Sequence, residues 1–180
     1  SINNIRLPGI DNTNINDIRL LKTPTQVRDI LPQTELTKQR VAEGRASIER
    51  ILDCIDKRFI VITGPCSLHN IEEAKEYARR LKALSDKVSD KLLIVMRVYF
   101  EKPRSVLGWK GLINDPYLDD TFRMEEGILI ARKFLLDLAE LGLPAATEIL
   151  DTLTPQYIGD LISWTAIGAR TAEAQTHREI

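Results

Sequence analysis

The sequence predicts an α/β fold built on a parallel sheet, and three observations point there. Short, continuously apolar and partly β-branched runs recur at Phe59–Thr63, Leu92–Tyr99, Ala145–Leu150 and Trp164–Gly168. The longer segments between them return their apolar residues with a helical period. From Phe59 the two kinds of segment alternate strictly, strand then helix, to the last residues. Strands buried on both faces read as unbroken apolar runs, and helical connections make neighbouring strands parallel.

Residues 1–33 read as an arm with a possible short strand and helix. Ser1–Asn14 is rich in Asn, Gly and Pro and has no sustained period, while Asn16–Leu21 is expected as a strand. Thr23 as N-cap and Pro24 at the first helical position open a brief helix that stops before Pro32. Residues 34–57 read as a helix leading into the main body. Val41, Ile48, Leu52 and Ile55 fall on one face, and Gly44 on the same face weakens it slightly. Cys54 lies beside this stripe and is expected as a small core residue.

Residues 58–180 form the main body. Phe59–Thr63 is expected as a buried strand running into Gly64-Pro65-Cys66-Ser67. Asn70 caps the next helix with Glu73 in the capping-box position, and Ile71, Ala74, Ala78, Leu81 and Leu84 form its inward stripe. After Leu92–Tyr99 and a long loop comes a helix over Glu125–Leu141. It turns Ile128, Ala131, Leu135 and Leu138 inward and stops at Gly142. Ala145–Leu150 is a strand carrying Glu148, and Thr154-Pro155 opens a helix in the manner of Thr23-Pro24. Trp164–Gly168 is the fourth strand; Arg170 follows it, and Thr171 is expected to cap a last helix.

At 180 residues, the chain suffices for one domain with a real core. Hydrophobic residues at 43% and charged residues at 28% are those of a soluble globular protein. A formal net charge of −1 excludes a bulk electrostatic footprint for nucleic acid, so any anion site is local. Neither a membrane partner nor a secretory leader is expected, since no apolar run has spanning length and no basic-then-apolar pattern opens the chain. Two cysteines, Cys54 and Cys66, make no disulfide framework, and a cytoplasmic location is expected.

The stretch richest in chemistry is Met96–Pro116. It leaves an apolar strand and releases Arg97, Lys102, Arg104 and Lys110 among Pro103, Gly108, Gly111 and Pro116. A cation at the end of a buried strand is costly unless an anion meets it. The cluster reads either as a solvated basic loop or as a pocket for a small, multiply charged anion such as a phosphate or carboxylate. Cys66, Arg97, Lys102, Glu148 and Arg170 all lie at or just past the carboxyl end of a predicted strand, where α/β sheets bind ligands. Taken singly, Cys66 reads equally as a small buried residue, Glu148 as a neutraliser of a neighbouring cation, and His69 and His177 as structural.

Four segments, Gly64-Pro65-Cys66-Ser67, Arg97–Pro116 with its EKPR and GWKGLINDP, Ser163–Arg170 and Gln175–Glu179, are similar to one known family. Over about Leu36 to Ile180 the chain resembles 3-deoxy-D-arabino-heptulosonate 7-phosphate (DAHP) synthase of the type found in enteric bacteria and yeast. The resemblance implies a (β/α)8 TIM barrel and the metal-dependent condensation of phosphoenolpyruvate with erythrose 4-phosphate that opens the shikimate pathway. It implies that Cys66 is a ligand of a divalent ion (manganese, iron, cobalt or zinc), and that Arg97 and Arg170 hold phosphoenolpyruvate. Lys102 then stands between the substrates, Arg104 and Ser105 grip the phosphate of the aldose with Pro103 shaping the turn of that substrate-binding stretch, and Glu148 is a carboxylate at the pocket. A homo-oligomer in full-length form and an aromatic amino-acid effector are further implications.

The departures are mild: Ser105-Val106-Leu107 stands for the usual Thr-Thr-Val, Leu68 for Ile, and Ala172-Glu173-Ala174 for Thr-Glu-Ser. Length is the large one. Family members run to roughly twice this chain, so the resemblance implies an N-terminal half barrel of about four βα units. The remaining metal ligands (a His, a Glu and an Asp) would lie outside it. A truncated or split synthase is therefore expected. Its unpaired edge strands favour association or a need for the other half. The alternatives are a catalytically silent fragment and an amino-acid-binding regulatory module retaining Asn16-Asp17 and the Leu150–Gln156 region.

Overall fold

Four strands lie side by side in chain order, all parallel: β1 (Phe59–Thr63), β2 (Leu92–Arg97), β3 (Ala145–Ile149) and β4 (Trp164–Ile167). The structure, a computed structural model, describes residues 20–104 and 107–179. The helices are α1 (Pro24–Ile30), α2 (Glu35–Leu52), α3 (Ile71–Lys87), α4 (Met124–Leu141), α5 (Thr154–Ile158) and α6 (Gln175–Arg178), with a 3-10 turn over Gly159–Leu161. Sequential parallel strands joined through helices make this a half-barrel of the α/β class.

Helix boundaries follow side-chain chemistry. Thr23 accepts from the Gln26 amide while Gln26 returns to the Thr23 amide, and Pro24 follows without an amide to lose. Thr34 caps α2 through the Thr37 amide, and the Asn70 side-chain Oδ1 takes the Glu72 and Glu73 amides at the start of α3. α4 stops where Gly142 turns left-handed at φ 77°.

Side-chain alternation along the strands divides the core. Ile94 and Met96 of β2 join Ala74, Ala78 and Leu81 of α3 and Ile128, Ala131, Leu135 and Leu138 of α4 in the main cluster. Val95 and Ala146 point the other way, toward Ile48 of α2, with Ile60, Leu93 and Trp164 packed around them. α4 lies so close to the Leu112-Ile113 segment that a Cβ on Gly127 would come within 2.2 Å of the Ile113 carbonyl oxygen. Only glycine permits that approach.

The most heavily buried charge fastens the helical layer together. Arg132 is 1% exposed; its fork meets Asp160 Oδ1 at 2.7 Å and Oδ2 at 2.9 Å. The same guanidinium donates to the carbonyls of Leu31 and Tyr157, each at 2.9 Å, joining α4 to the end of α1 and to α5. Tyr157 in turn donates its hydroxyl to the Lys22 carbonyl.

Several expectations are corrected. β1 is a strand but not a buried one: Phe59 is 73% exposed and Ile62 is exposed too, because β1 has a strand on one side only and little covers its faces. Leu52 and Ile55 are exposed, since α2 ends at Leu52 and its stripe is covered only as far as Ile48; Thr37 joins Val41, Gly44 and Ile48 on the inner face instead. Cys54 is exposed and left-handed at φ 59°, in the turn after α2. Leu84 points outward. β2 ends at Arg97, two residues early, as the chain peels away toward the loop. Thr154 does not cap α5; the Asp151 carboxylate takes the Leu153 and Thr154 amides at 2.7 and 2.8 Å. Thr171 donates to the Gly168 carbonyl in a turn, and α6 begins only at Gln175. The strand expected at Asn16–Leu21 falls mostly outside the described residues, and Leu20-Leu21 is not strand.

Candidate functional site

The register decides what meets what. Thr63 pairs with Met96, Arg97 with Ala146, and Ile149 with Ile167, so the carboxyl ends of all four strands open on one rim. A Cβ on Gly64 would stand 2.5 Å from the Arg97 carbonyl oxygen, so glycine is what lets the loop after β1 cross tightly over the end of β2.

Arg97 sits half-buried at this crossing. It donates to the Cys66 carbonyl at 3.2 Å, and its guanidinium carbon lies 3.8 Å from the centroid of the Tyr99 ring. Its Nε is buried without a hydrogen-bond partner among the described residues. A buried guanidinium N–H left unpaired is costly and is relieved by an anionic acceptor. Burial and the nearby Glu148 carboxylate push the Tyr99 hydroxyl above its ordinary range, with Arg97 opposing.

Lys102 donates to Cys66 Sγ at 3.3 Å, placing an ammonium beside the exposed thiol. The Pro103 carbonyl accepts from Arg170 at 3.4 Å, linking the loops after β2 and β4. Arg104 packs its side chain on Gly108, which is left-handed at φ 105°. Ser105 lies outside the described residues. Lys102, Pro103, Arg104, Lys110, Glu148 and Arg170 line one open cleft of about 740 Å³. Cys66 and Arg97 lie beside this cleft, not in its lining, joined to it by the Lys102–Cys66 and Arg97–Cys66 contacts.

Two carboxyl groups that sequence reasoning passed over share this cleft, Glu101 and Asp151. Burial first, and then the charge and hydrogen bond of Asp151, push the Glu101 carboxyl up from 4.5 to about 7, with Thr154 and Asn114 opposing. The signal available in the sequence was a lone acid set directly before Lys102 in a run of cations, a position where a carboxylate reads as a simple counter-charge.

For a metal ion the described residues offer little. No three His, Cys, Asp or Glu side chains among them converge as a metal-holding group. Cys66 is a single thiol donor whose near neighbour is an ammonium, not a second ligand. One thiolate does not make a first-row metal site, so these residues do not fit a complete one. Among the described residues no helix is long and apolar enough to cross a membrane.

Comparison with known proteins gives the family and supports the fold. Residues 33–180 match the DAHP synthetase I family. The chain is 54% identical over 172 residues to the Tyr-sensitive phospho-2-dehydro-3-deoxyheptonate aldolase of Escherichia coli, covering 96% of this chain and 48% of that protein. It is 53% identical over 170 residues to the Phe-sensitive enzyme of the same organism, covering 94% and 49%. The solved phospho-2-dehydro-3-deoxyheptonate aldolase of Francisella tularensis superposes with a TM-score of 0.87 at 46% identity, over 92% of this chain and 49% of that one. The chain spans about half the length of the relatives it matches. With the family match running through β1 to β4 and the strand-end cleft, the chain belongs to the DAHP synthetase I family.

Proposed function

We propose that this chain supplies the anion-binding side of a DAHP synthase active site, a transferase that joins phosphoenolpyruvate to erythrose 4-phosphate. The observation that carries the reading is the convergence of Arg97, Lys102, Arg104, Lys110 and Arg170 at one sheet rim, with Arg97 Nε buried and unpaired. Phosphoenolpyruvate bears a carboxylate and a phosphate, which suit the planar forks of Arg97 and Arg170. Lys102 then lies between the substrates, while Arg104, with Pro103 and Ser105, takes the aldose phosphate.

In the reaction, the terminal enol carbon of phosphoenolpyruvate bonds to the aldehyde carbon, whose oxygen takes up a proton. Water adds at the former enol carbon, and inorganic phosphate leaves by cleavage of the C–O bond. This chain's share is to hold both anions in register and to shield their mutual repulsion. Glu148 faces the same cleft and serves as a proton-handling carboxylate. The family's divalent ion, with Cys66 as one ligand, would need donors beyond this set, and no step is assigned to it here.

An aromatic amino-acid effector is part of the proposal, because two of the relatives carry Tyr-sensitive and Phe-sensitive in their names. A cytoplasmic homo-oligomer is the matching expectation for the full-length protein.

The test is calorimetric titration of the chain with phosphoenolpyruvate. Losing a charge-assisted contact costs about 1.5–3 kcal/mol, so Arg97→Leu should weaken binding about 10- to 100-fold. Wild-type affinity retained in that variant would overturn the reading. Co-expression with the complementary half of a relative should then restore phosphate release from the two substrates.

A further inference from the structure

Glu101 is the residue through which the cationic loop is tied to its neighbours. On the backbone side, the Lys102 amide donates to the Lys110 carbonyl at 2.9 Å, and the Ile113 amide donates to the Phe100 carbonyl at 3.3 Å. A Cβ on Gly111 would come within 2.5 Å of Glu101 Cα, so the loop folds directly onto this residue. On the side-chain side, Glu101 Oε1 is 3.4 Å from Asn114 Nδ2 and 3.2 Å from Thr154 Oγ1. The carboxyl therefore bridges the loop after β2 and the start of α5.

Proton counting at this bridge is restrictive. Thr154 Oγ1 stands 3.2 Å from Glu101 Oε1 and also 3.2 Å from Asp151 Oδ2, yet a hydroxyl has one hydrogen to give. Asp151 Oδ1 already accepts the Leu153 and Thr154 amides, two backbone donors that Glu101 lacks. Thr154 Oγ1 therefore bonds to both acids at once only by donating to one and accepting a proton from the other. The charged groups lining the cleft together with the bridge are Glu148 from β3, Lys102, Arg104 and Lys110 from the loop after β2, and Arg170 from the loop after β4.

We propose that Glu101 works as a neutral carboxylic acid, its proton directed to Asp151 through the Thr154 hydroxyl, and that this bridge positions Lys102 and Arg104 over the cleft. Glu101 is a positioning residue: it acts through the loop and touches no substrate. The inference rests on the anion-cleft reading given above. It adds that the cleft is set in its binding pose only while one proton stays between the two acids. Loss of that proton places two like charges side by side, and the loop separates from α5.

The experiment uses the 180-residue chain and inorganic sulfate, whose charge is constant across the range. Infrared titration should show a protonated carboxyl with a midpoint near neutrality, absent in Glu101→Gln. In Asp151→Asn, which keeps an oxygen for the two amides, that midpoint should fall while staying above the ordinary glutamate range. Sulfate should bind several-fold more weakly at pH 8.5 than at pH 6 in the wild type. In Glu101→Gln, whose bridge is neutral at both values, binding should be level. A wild type with no protonated carboxyl at pH 6, or a Glu101→Gln that keeps the wild-type pH dependence, overturns the proposal. Sulfate binding absent at both values, with the carboxyl titration intact, overturns the anion-cleft reading and with it the positioning role, and leaves the shared proton standing.

Discussion

Asp160→Ala should be among the most damaging single changes away from the cleft. Arg132 is 1% exposed, and two of its four hydrogen bonds go to this one carboxylate. Removing it leaves a guanidinium inside the helical layer with two carbonyls and no counter-charge. Breaking a buried pair in this way costs about 3–5 kcal/mol. The Asp160 side chain is 25% exposed, so water partly replaces it, and the expected loss is near the lower figure, about 3 kcal/mol. Against a typical total of about 5–15 kcal/mol, that is a large share. In urea, with a slope of about 1–3 kcal/mol per molar, the midpoint should fall by about 1–3 M. Followed by circular dichroism, the pair Arg132→Met and Asp160→Ala completes a double-mutant cycle. The double variant should be less destabilised than the sum of its parts by about 2 kcal/mol, because it removes the stranded charge. Additive effects, or a loss under about 1 kcal/mol for Asp160→Ala, would refute the account of Arg132 as the fastening point of α1, α4 and α5.

Stability should also fall as pH rises from about 4.5 to about 7, because Glu101 ionises at a higher pH folded than unfolded. The sign follows from the folded state holding the proton over that window; the size is up to about 3 kcal/mol, and thermal melts of Glu101→Gln should lack that share of the slope. Gly127→Ala should destabilise by about 1–3 kcal/mol despite better helix propensity, since the added carbon meets the Ile113 and Leu112 carbonyls. A stabilised variant in chemical denaturation would show that α4 does not lie on that segment. In a form of the protein carrying both halves, Arg104→Ala should raise the KM for erythrose 4-phosphate about 10- to 100-fold and that for phosphoenolpyruvate far less. Equal effects on the two would remove the assignment of Arg104 to the aldose phosphate.

The sequence by itself determined the order and kind of the elements, because each signal is local. Thr23-Pro24, Asn70 and Gly142 fix helix ends through bonds to backbone groups a few residues away and act as read, while Glu73 bonds the Asn70 side chain instead of closing the expected capping box. It also determined that Cys66, Arg97, Lys102, Glu148 and Arg170 would lie at or just past strand ends, since position along a strand is a one-dimensional property. Only the tertiary structure decided the rest. Cys54 was expected inside and stands outside because α2 ends at Leu52, and a stripe continuing past that residue has nothing to pack on. Phe59 and Ile62 read as core by composition, but a strand's burial depends on neighbours that its own residues do not specify. Glu101 looked like one more surface acid beside a lysine. The fold brings Thr154, some fifty positions on, against it in a partly dry setting, with Asp151 on the same hydroxyl. Proximity across the chain sets a proton's affinity, and no local pattern of residues encodes that distance.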